Sequence, residues 1–150
     1  MSLKKLIEVI DRQEKNLNKL LTVVKQKQDA LVTNNNDKLN EVIGLEEKQL
    51  LKVQTTEEHR LLLMEQLFEK YEIENERYKL SILVEALKGK IQDVILRKIE
   101  SSEIVIKNVI EEITKINAQN ILLIEQSRQI INETIKAVVN TNRAIVDRKG

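Results

Sequence analysis

The stretch IQDVILRKIESSEIVIKNVIEEITKINAQNILLIEQSRQIINETIKAVVN, residues 91–140, contains the longest uninterrupted helical pattern of the chain. It has neither Pro nor Gly, the residues that most readily interrupt a helix. Its apolar residues recur every three or four positions, which places them on one stripe of an α-helix. That main stripe consists of Ile91, Ile95, Ile99, Ile106, Val109, Ile113, Ile116, Leu123 and Ile130. The segment therefore predicts a single helix about 75 Å long.

The N-terminal part of the chain predicts two more long helices, over residues 3–33 and 38–71. The first stripe consists of Leu3, Leu6, Ile10, Leu17, Leu20, Val24 and Leu31, with polar Gln13 and Lys27 between them. The second consists of Leu39, Ile43, Leu50, Val53, Met64, Leu67 and Tyr71, with polar Glu46, Glu57 and Arg60 between them. Between the helices, three Asn at 34–36 favour a turn, and Asp37 is a candidate N-cap. Because the turn is short, we expect the second helix to fold back antiparallel to the first.

The segments that flank the last helix have weaker helical patterns. Ser81 is placed to cap a short helix over residues 82–87, which Gly89 would end. Residues 141–150 have no sustained apolar stripe, so we expect a flexible tail there.

The composition excludes other fold classes. The 150 residues include three Gly and no Pro, whereas an average chain of this length has roughly ten Gly and about seven Pro. The tight turns of a β-sandwich or barrel need such residues, and no two Gly are close enough for a phosphate-binding loop. We therefore predict an all-α fold: an elongated antiparallel helical bundle or coiled coil of three long helices plus one short helix, in a single domain over residues 1–150.

The charge distribution argues against several partners. The formal net charge is +1, and the central residues 33–79 hold seven basic and eleven acidic side chains. This acidic centre would repel phosphate groups, so nucleic acid is not an expected partner. No apolar run approaches the ~20 residues of a membrane span, and the N-terminus lacks the apolar core of a signal peptide. We therefore expect no membrane insertion and a cytoplasmic location.

The residues that usually carry catalysis or bind metals are nearly absent. His59 is the only histidine, and there is no Cys. A di-iron bundle needs Glu-x-x-His on two helices, but Thr56 stands three residues before His59. A zinc site or a nucleophile–base pair would need further His or Cys residues. We predict a solvent-exposed His59, no catalytic residue, no metal site, no cofactor and no enzymatic activity.

Beyond Ile116 the apolar arc of the last helix broadens into two edges. One edge holds Ile116, Leu123, Ile130 and Ala137; the other holds Ile121, Ile124, Ile131, Ile135 and Val139, with Val138 between the edges and Leu122 outside both. Two edges indicate two contacts, one with the rest of the chain and one with a partner. The alternative is that both edges are buried in the bundle or in a homodimer.

Residues 116–127, INAQNILLIEQS, resemble the signature of the FlgN family of flagellar export chaperones. The family motif falls on Asn117, Asn120 and Leu123. The sequence KQDAL at residues 27–31, the polar turn after it and EEK at residues 46–48 are similar to the family's N-terminal hairpin. The closing VDRKG is similar to the family's Tyr-Asp-x-x-Gly tail, with Val146 where many relatives have Tyr.

The resemblance implies a function. Such chaperones bind the C-terminal helices of hook-filament junction proteins in the cytoplasm, prevent their premature assembly and deliver them to the type III export apparatus. On this basis the client-binding residues are expected to be Ile121, Leu122, Ile124, Ile131, Ile135 and Val138. Val146, Asp147 and Gly150 would form a tail that docks to the flagellar export gate. The alternative function is a structural coiled-coil spacer or homo-oligomer without a client.

Overall fold

The computed structural model describes residues 2–149 and the side chains of residues 3–139. The helices are α1 (Ser2–Val32), α2 (Asn36–Lys70), α3 (Leu80–Leu87) and α4 (Asp93–Lys149). Within residues 2–149, the only β-type pairing is an isolated bridge between Lys88 and Ile91. The predicted all-α fold of three long helices and one short helix is therefore confirmed.

Helix α1 packs against both α2 and α4. Lys27 of α1 pairs with Glu46 at 3.1 Å, while Asn16, nearer the start of α1, bonds to Thr56 at 2.9 Å, so α1 and α2 are antiparallel. Asp11 approaches Lys98 at 3.5 Å, and Gln28 bonds to Gln119 at 2.9 Å, so α1 and α4 are parallel. Helices α2 and α4 have little direct contact with each other.

The larger apolar core lies at the end of the bundle that holds the α1 N-terminus. Helix α3 closes this end. The buried residues are Leu6, Val9 and Ile10 of α1, Leu63, Met64, Leu67 and Phe68 of α2, Leu80, Leu83, Val84 and Leu87 of α3, and Leu96 and Ile99 of α4. Phe68 and Tyr78 add an edge-to-face contact with ring centroids 5.1 Å apart. A smaller cluster, Leu17, Leu20, Val24, Ile113 and Ile116, joins α1 to α4 farther along.

A polar layer occupies the middle of the α1–α2 hairpin. The Asn16 amide donates to the Thr56 hydroxyl at 2.9 Å, and Gln49 donates to the Asn16 carbonyl at 2.9 Å. Gln13 donates to the Val53 carbonyl at 3.0 Å. Gln13, Asn16, Gln49 and Thr56 are all buried. Their hydrogen bonds compensate for the loss of water that burial imposes on polar groups.

This layer explains why the predicted stripe of α2 is wrong in its N-terminal half. The buried residues there are Val42, Gln49 and Thr56, while the predicted Ile43 is only half-buried. Leu50 is exposed. The predicted stripe follows the apolar residues and takes Glu46, Glu57 and Arg60 as its polar positions, so it omits Gln49 and Thr56, which bond across the interface.

Replacing Asn16 with Ala is expected to lower the free energy of unfolding by about 1–3 kcal/mol, because the buried Thr56 hydroxyl loses its partner. Chemical denaturation monitored by circular dichroism measures the change. Asn18→Ala is the matched control, since Asn18 lies on the same helix and is exposed. Equal effects of the two substitutions would show that the Asn16–Thr56 bond does not stabilise the hairpin.

The run of three Asn ends one helix and begins the next. Asn34 adopts a left-handed φ of 53°, and the Asn35 amide bonds to the Ala30 carbonyl, which closes α1. The Asn35 side chain then accepts from the Lys38 amide at 3.1 Å. The N-cap of α2 is therefore Asn35 and not the predicted Asp37, which lies in the first turn.

Two other predicted helix ends differ from the structure. Helix α3 begins at Leu80 after Lys79, which makes no side-chain capping bond, so Ser81 lies inside the helix and does not cap it. Helix α4 continues to Lys149, although the sequence predicts an end near Asn140. Because no Pro or Gly occurs in residues 91–149, nothing in the backbone ends α4 earlier.

Candidate binding surface on the last helix

Helix α4 extends beyond the α1–α2 hairpin. Asn120 bonds to the Val24 carbonyl at 3.2 Å, and Gln119 bonds to Gln28. Since the two helices are parallel and rise equally per residue, the last residue of α1, Val32, is level with about residues 123–128 of α4. Residues 128–149 therefore form an overhanging segment about 33 Å long.

The overhanging segment presents large apolar side chains to solvent. No residue from 128 to 139 is buried or half-buried. Ile131 is 57% exposed, Ile135 56% and Val138 55%. Ile130 is also exposed, although the sequence places it on the same edge as buried Ile116, because α1 ends before it. Apolar surface left exposed in this way is typical of a contact with another molecule.

The structure gathers five of the six predicted client-binding residues. On an α-helix at 100° per residue, Ile121, Ile124, Ile131, Ile135 and Val138 lie within one face. Ile121 is exposed like the last three, and Ile124 is half-buried. Leu122 is exposed but lies on nearly the opposite face of α4, so a single straight helix cannot contact it together with the others.

The predicted motif residues have structural roles that differ from one another. Asn120 is 2% exposed and donates to the Val24 carbonyl, so it joins α4 to α1. Its Oδ1 atom is buried and accepts no hydrogen bond. Asn117 and Leu123 are half-buried. Asn120 stands between Ile116 and Leu123 at the three-and-four spacing of the main stripe, so the pattern itself places it on the face toward α1, although a stripe assembled from apolar residues omits it.

Two open pockets lie between α2 and α4, one above the other along α1, and together they are called here the α2–α4 groove. Its upper part is lined by Leu20 and Val24 of α1, Leu50 of α2, and Asn117, Ile121 and Ile124 of α4. Its lower part is lined on α4 by Glu103, Ile106, Lys107 and Ile110. Ile121 and Ile124, two of the predicted client-binding residues, therefore line the upper pocket, and the face they lie on continues onto the overhanging segment. Sequence reasoning missed this groove, since it assigned Leu50 to the α1–α2 contact.

The remaining predicted site residues fall into two groups. His59 is exposed on α2, and no three acidic or histidine side chains among the described residues come together as metal ligands. Val146 and Asp147 lie on the helical backbone of α4, while their side chains and the whole of Gly150 lie outside the described residues. No helix within residues 2–149 combines the length and the apolar content needed to cross a membrane.

Replacing His59 with Ala is expected to change the free energy of unfolding by less than about 0.5 kcal/mol, as for an ordinary surface position. Client affinity is expected to stay the same, because His59 lies outside the α4 face. Thermal unfolding and a client titration measure the two quantities. A tenfold loss of client binding would contradict the assignment of His59 to a solvated surface.

The comparison with protein families agrees with the resemblance seen in the motif at residues 116–127 and extends it over almost the whole chain. The model of the FlgN family, described as FlgN protein, matches residues 1–144. Neither the curated proteins nor the solved structures provide a significant match. FlgN is a family of chaperones. With a match that includes all of α1, α2 and α3 and most of α4, the chain belongs to the FlgN family, which indicates a flagellar export chaperone.

Proposed function

We propose that this protein binds the C-terminal helices of hook-filament junction proteins in the cytoplasm through the exposed apolar face of α4. It keeps those helices from assembling early and delivers the bound client to the type III export apparatus. The observation that supports this most directly is the exposure of Ile131, Ile135 and Val138 on a helix that extends past its own bundle.

The chemistry of the face fits an amphipathic helix as client. Such a helix would place its own apolar stripe against Ile124, Ile131 and Ile135, with charged side chains turned to water. Burying one Ile side chain contributes roughly 1.5–3 kcal/mol, so a few contacts suffice for a stable complex. A client segment that orders on binding loses part of this energy to conformational entropy, which keeps the complex reversible.

The direct test is co-purification of the chain from its native cytoplasm, followed by mass-spectrometric identification of the bound protein. The expected result is a junction protein, and titration with its C-terminal segment alone should reproduce the binding. If a purified junction protein fails to bind, the chaperone function proposed here is wrong and a spacer without a client is favoured.

The end of α4 is proposed to dock to the flagellar export gate through Val146, Asp147 and Gly150. Deleting residues 141–150 is expected to weaken binding of the client-loaded chaperone to the cytoplasmic domain of the gate. Client binding should persist, because Ile124, Ile131 and Ile135 remain. Titration of the gate domain with the loaded complex provides the measurement. Unchanged affinity would show that docking uses another surface.

A further inference from the structure

One charged side chain lies within the apolar face of α4. At 100° per residue, Arg128 lies between Ile121 and Ile135 around the helix, and along the helix axis it lies between Ile124 and Ile131. The predicted client-binding residues on both sides of it along this face are Ile or Val. A client helix that covers Ile124 and Ile131 therefore also covers Arg128.

Arg128 forms no ion pair with any other described residue. A side chain on a helix reaches the residues three and four positions away. For Arg128 these are Ile124, Glu125, Ile131 and Asn132, so Glu125 is the only acidic residue within this reach, and the structure does not pair the two. Because Arg128 is exposed, water solvates its guanidinium in the free chain.

Client binding would remove water from this guanidinium. A charge that is buried among apolar side chains loses solvation free energy, and apolar contacts do not compensate for that loss. A carboxylate on the client compensates best, because the planar guanidinium donates two parallel hydrogen bonds that match the two carboxylate oxygens. The aliphatic stem of Arg128 can meanwhile pack between Ile124 and Ile131.

We infer that the client helix carries an Asp or Glu within its apolar stripe, at the position that faces Arg128. Apolar residues of the client, three or four positions away on both sides of this acidic residue, contact Ile124 and Ile131. The charged pair also fixes the register of the two helices, since a slip by seven residues buries both charges without a partner. This inference rests on the proposed function and specifies the chemistry of the client that the α4 face accepts.

The first test is calorimetric titration of the chain with the C-terminal segment of a hook-filament junction protein, made as a synthetic peptide. Arg128→Leu is expected to weaken binding about tenfold or more, because the client carboxylate is then buried without a partner. Arg128→Glu is expected to weaken binding further, since two carboxylates then face each other. Leu and Glu have helix propensities close to that of Arg, so α4 persists in both variants.

The Leu variant distinguishes an ion pair from a charge that only borders the contact. In the second case Leu adds apolar surface to the face, so equal or tighter binding by Arg128→Leu overturns the inference. Arg97→Leu is the matched control, because Arg97 is exposed and lies about 140° around α4 from Arg128. The control substitution should leave the affinity for the peptide unchanged.

The second test locates the acidic residue of the client. Each Asp and Glu of the peptide is replaced by Arg in turn, and every peptide is titrated against the unmodified chain and against Arg128→Glu. One replacement is expected to weaken binding to the unmodified chain and to restore binding to Arg128→Glu. If no replacement has both effects, the inference is wrong.

Failure of the proposed function gives a different result. The peptide then does not bind the unmodified chain at all, and the inference fails with it. If the peptide binds the unmodified chain and Arg128→Leu equally well, client binding remains and only the acidic partner is wrong. If Arg128→Leu changes the sedimentation of the free chain but not its affinity for the peptide, Arg128 contacts a second copy, and the inference is again wrong.

Discussion

Replacing Ile131 and Ile135 together with Ala is expected to weaken client binding by about 2–5 kcal/mol, roughly a thirtyfold to several-thousandfold loss of affinity. Both side chains are more than half exposed and lie on the same face of α4. The melting temperature of the free chain should hardly change, because neither residue contributes to the core. Titration with the client's C-terminal segment measures the affinity, and thermal unfolding of the free chain measures its stability.

A second pair on the same helix provides the control. Val94 and Ile104 are 76% and 62% exposed and lie on a different face of α4. Replacing both with Ala removes a similar amount of exposed apolar surface, and client binding should persist. A variant of Ile131 and Ile135 that melts much earlier, yet binds normally when folded, would place the two residues in the core and contradict the proposed client face.

Replacing Leu83 with Ala is expected to lower the free energy of unfolding by about 2–5 kcal/mol. Leu83 is 0% exposed and belongs to the core in which α3 packs with α1, α2 and α4. The substitution leaves a cavity that a short helix between two loops can fill only partly. Chemical denaturation of the purified chain measures the loss.

Leu62→Ala is the matched control for Leu83→Ala. Leu62 is 53% exposed on α2, so the same chemical change should cost far less there. If the two substitutions had equal effects, α3 would not be part of the cooperative core. Client binding should be unaffected by either change once the protein is folded, since neither residue lies on the α4 face.

The helical organisation could be predicted because it follows from local properties. A chain without Pro, with a three-and-four spacing of apolar residues, forms long helices wherever a partner covers the stripe. The turn at residues 34–36 was equally visible, since Asn is stable in the left-handed conformation that Asn34 adopts. The residue that caps α2 was harder to predict, because Asn and Asp are both good N-caps and only the backbone geometry decides between Asn35 and Asp37.

The packing partners could not be predicted from the same pattern. A periodic stripe shows which face of a helix is apolar, but not what lies beside it. Leu50 and Ile116 have the same spacing signal, yet Leu50 borders an open groove and Ile116 is buried. Val9 and Ala30 are buried although they lie off the predicted α1 stripe, because α1 packs against both α2 and α4. The exposure of Ile131 likewise depends on where α1 ends, and the sequence of α4 carries no information about that position.

The buried amide of Asn120 affects how far α4 extends beyond the end of α1. Its bond to the Val24 carbonyl fixes how far α4 is displaced along α1. A slip of seven residues would keep the apolar periodicity but would move the exposed helix by about 10 Å. Ile124 would then move away from the end of α1, or Ile131 would be drawn against it, depending on direction. Together with the Gln28–Gln119 bond, this side-chain amide therefore helps to set how much of the last helix is available to another molecule.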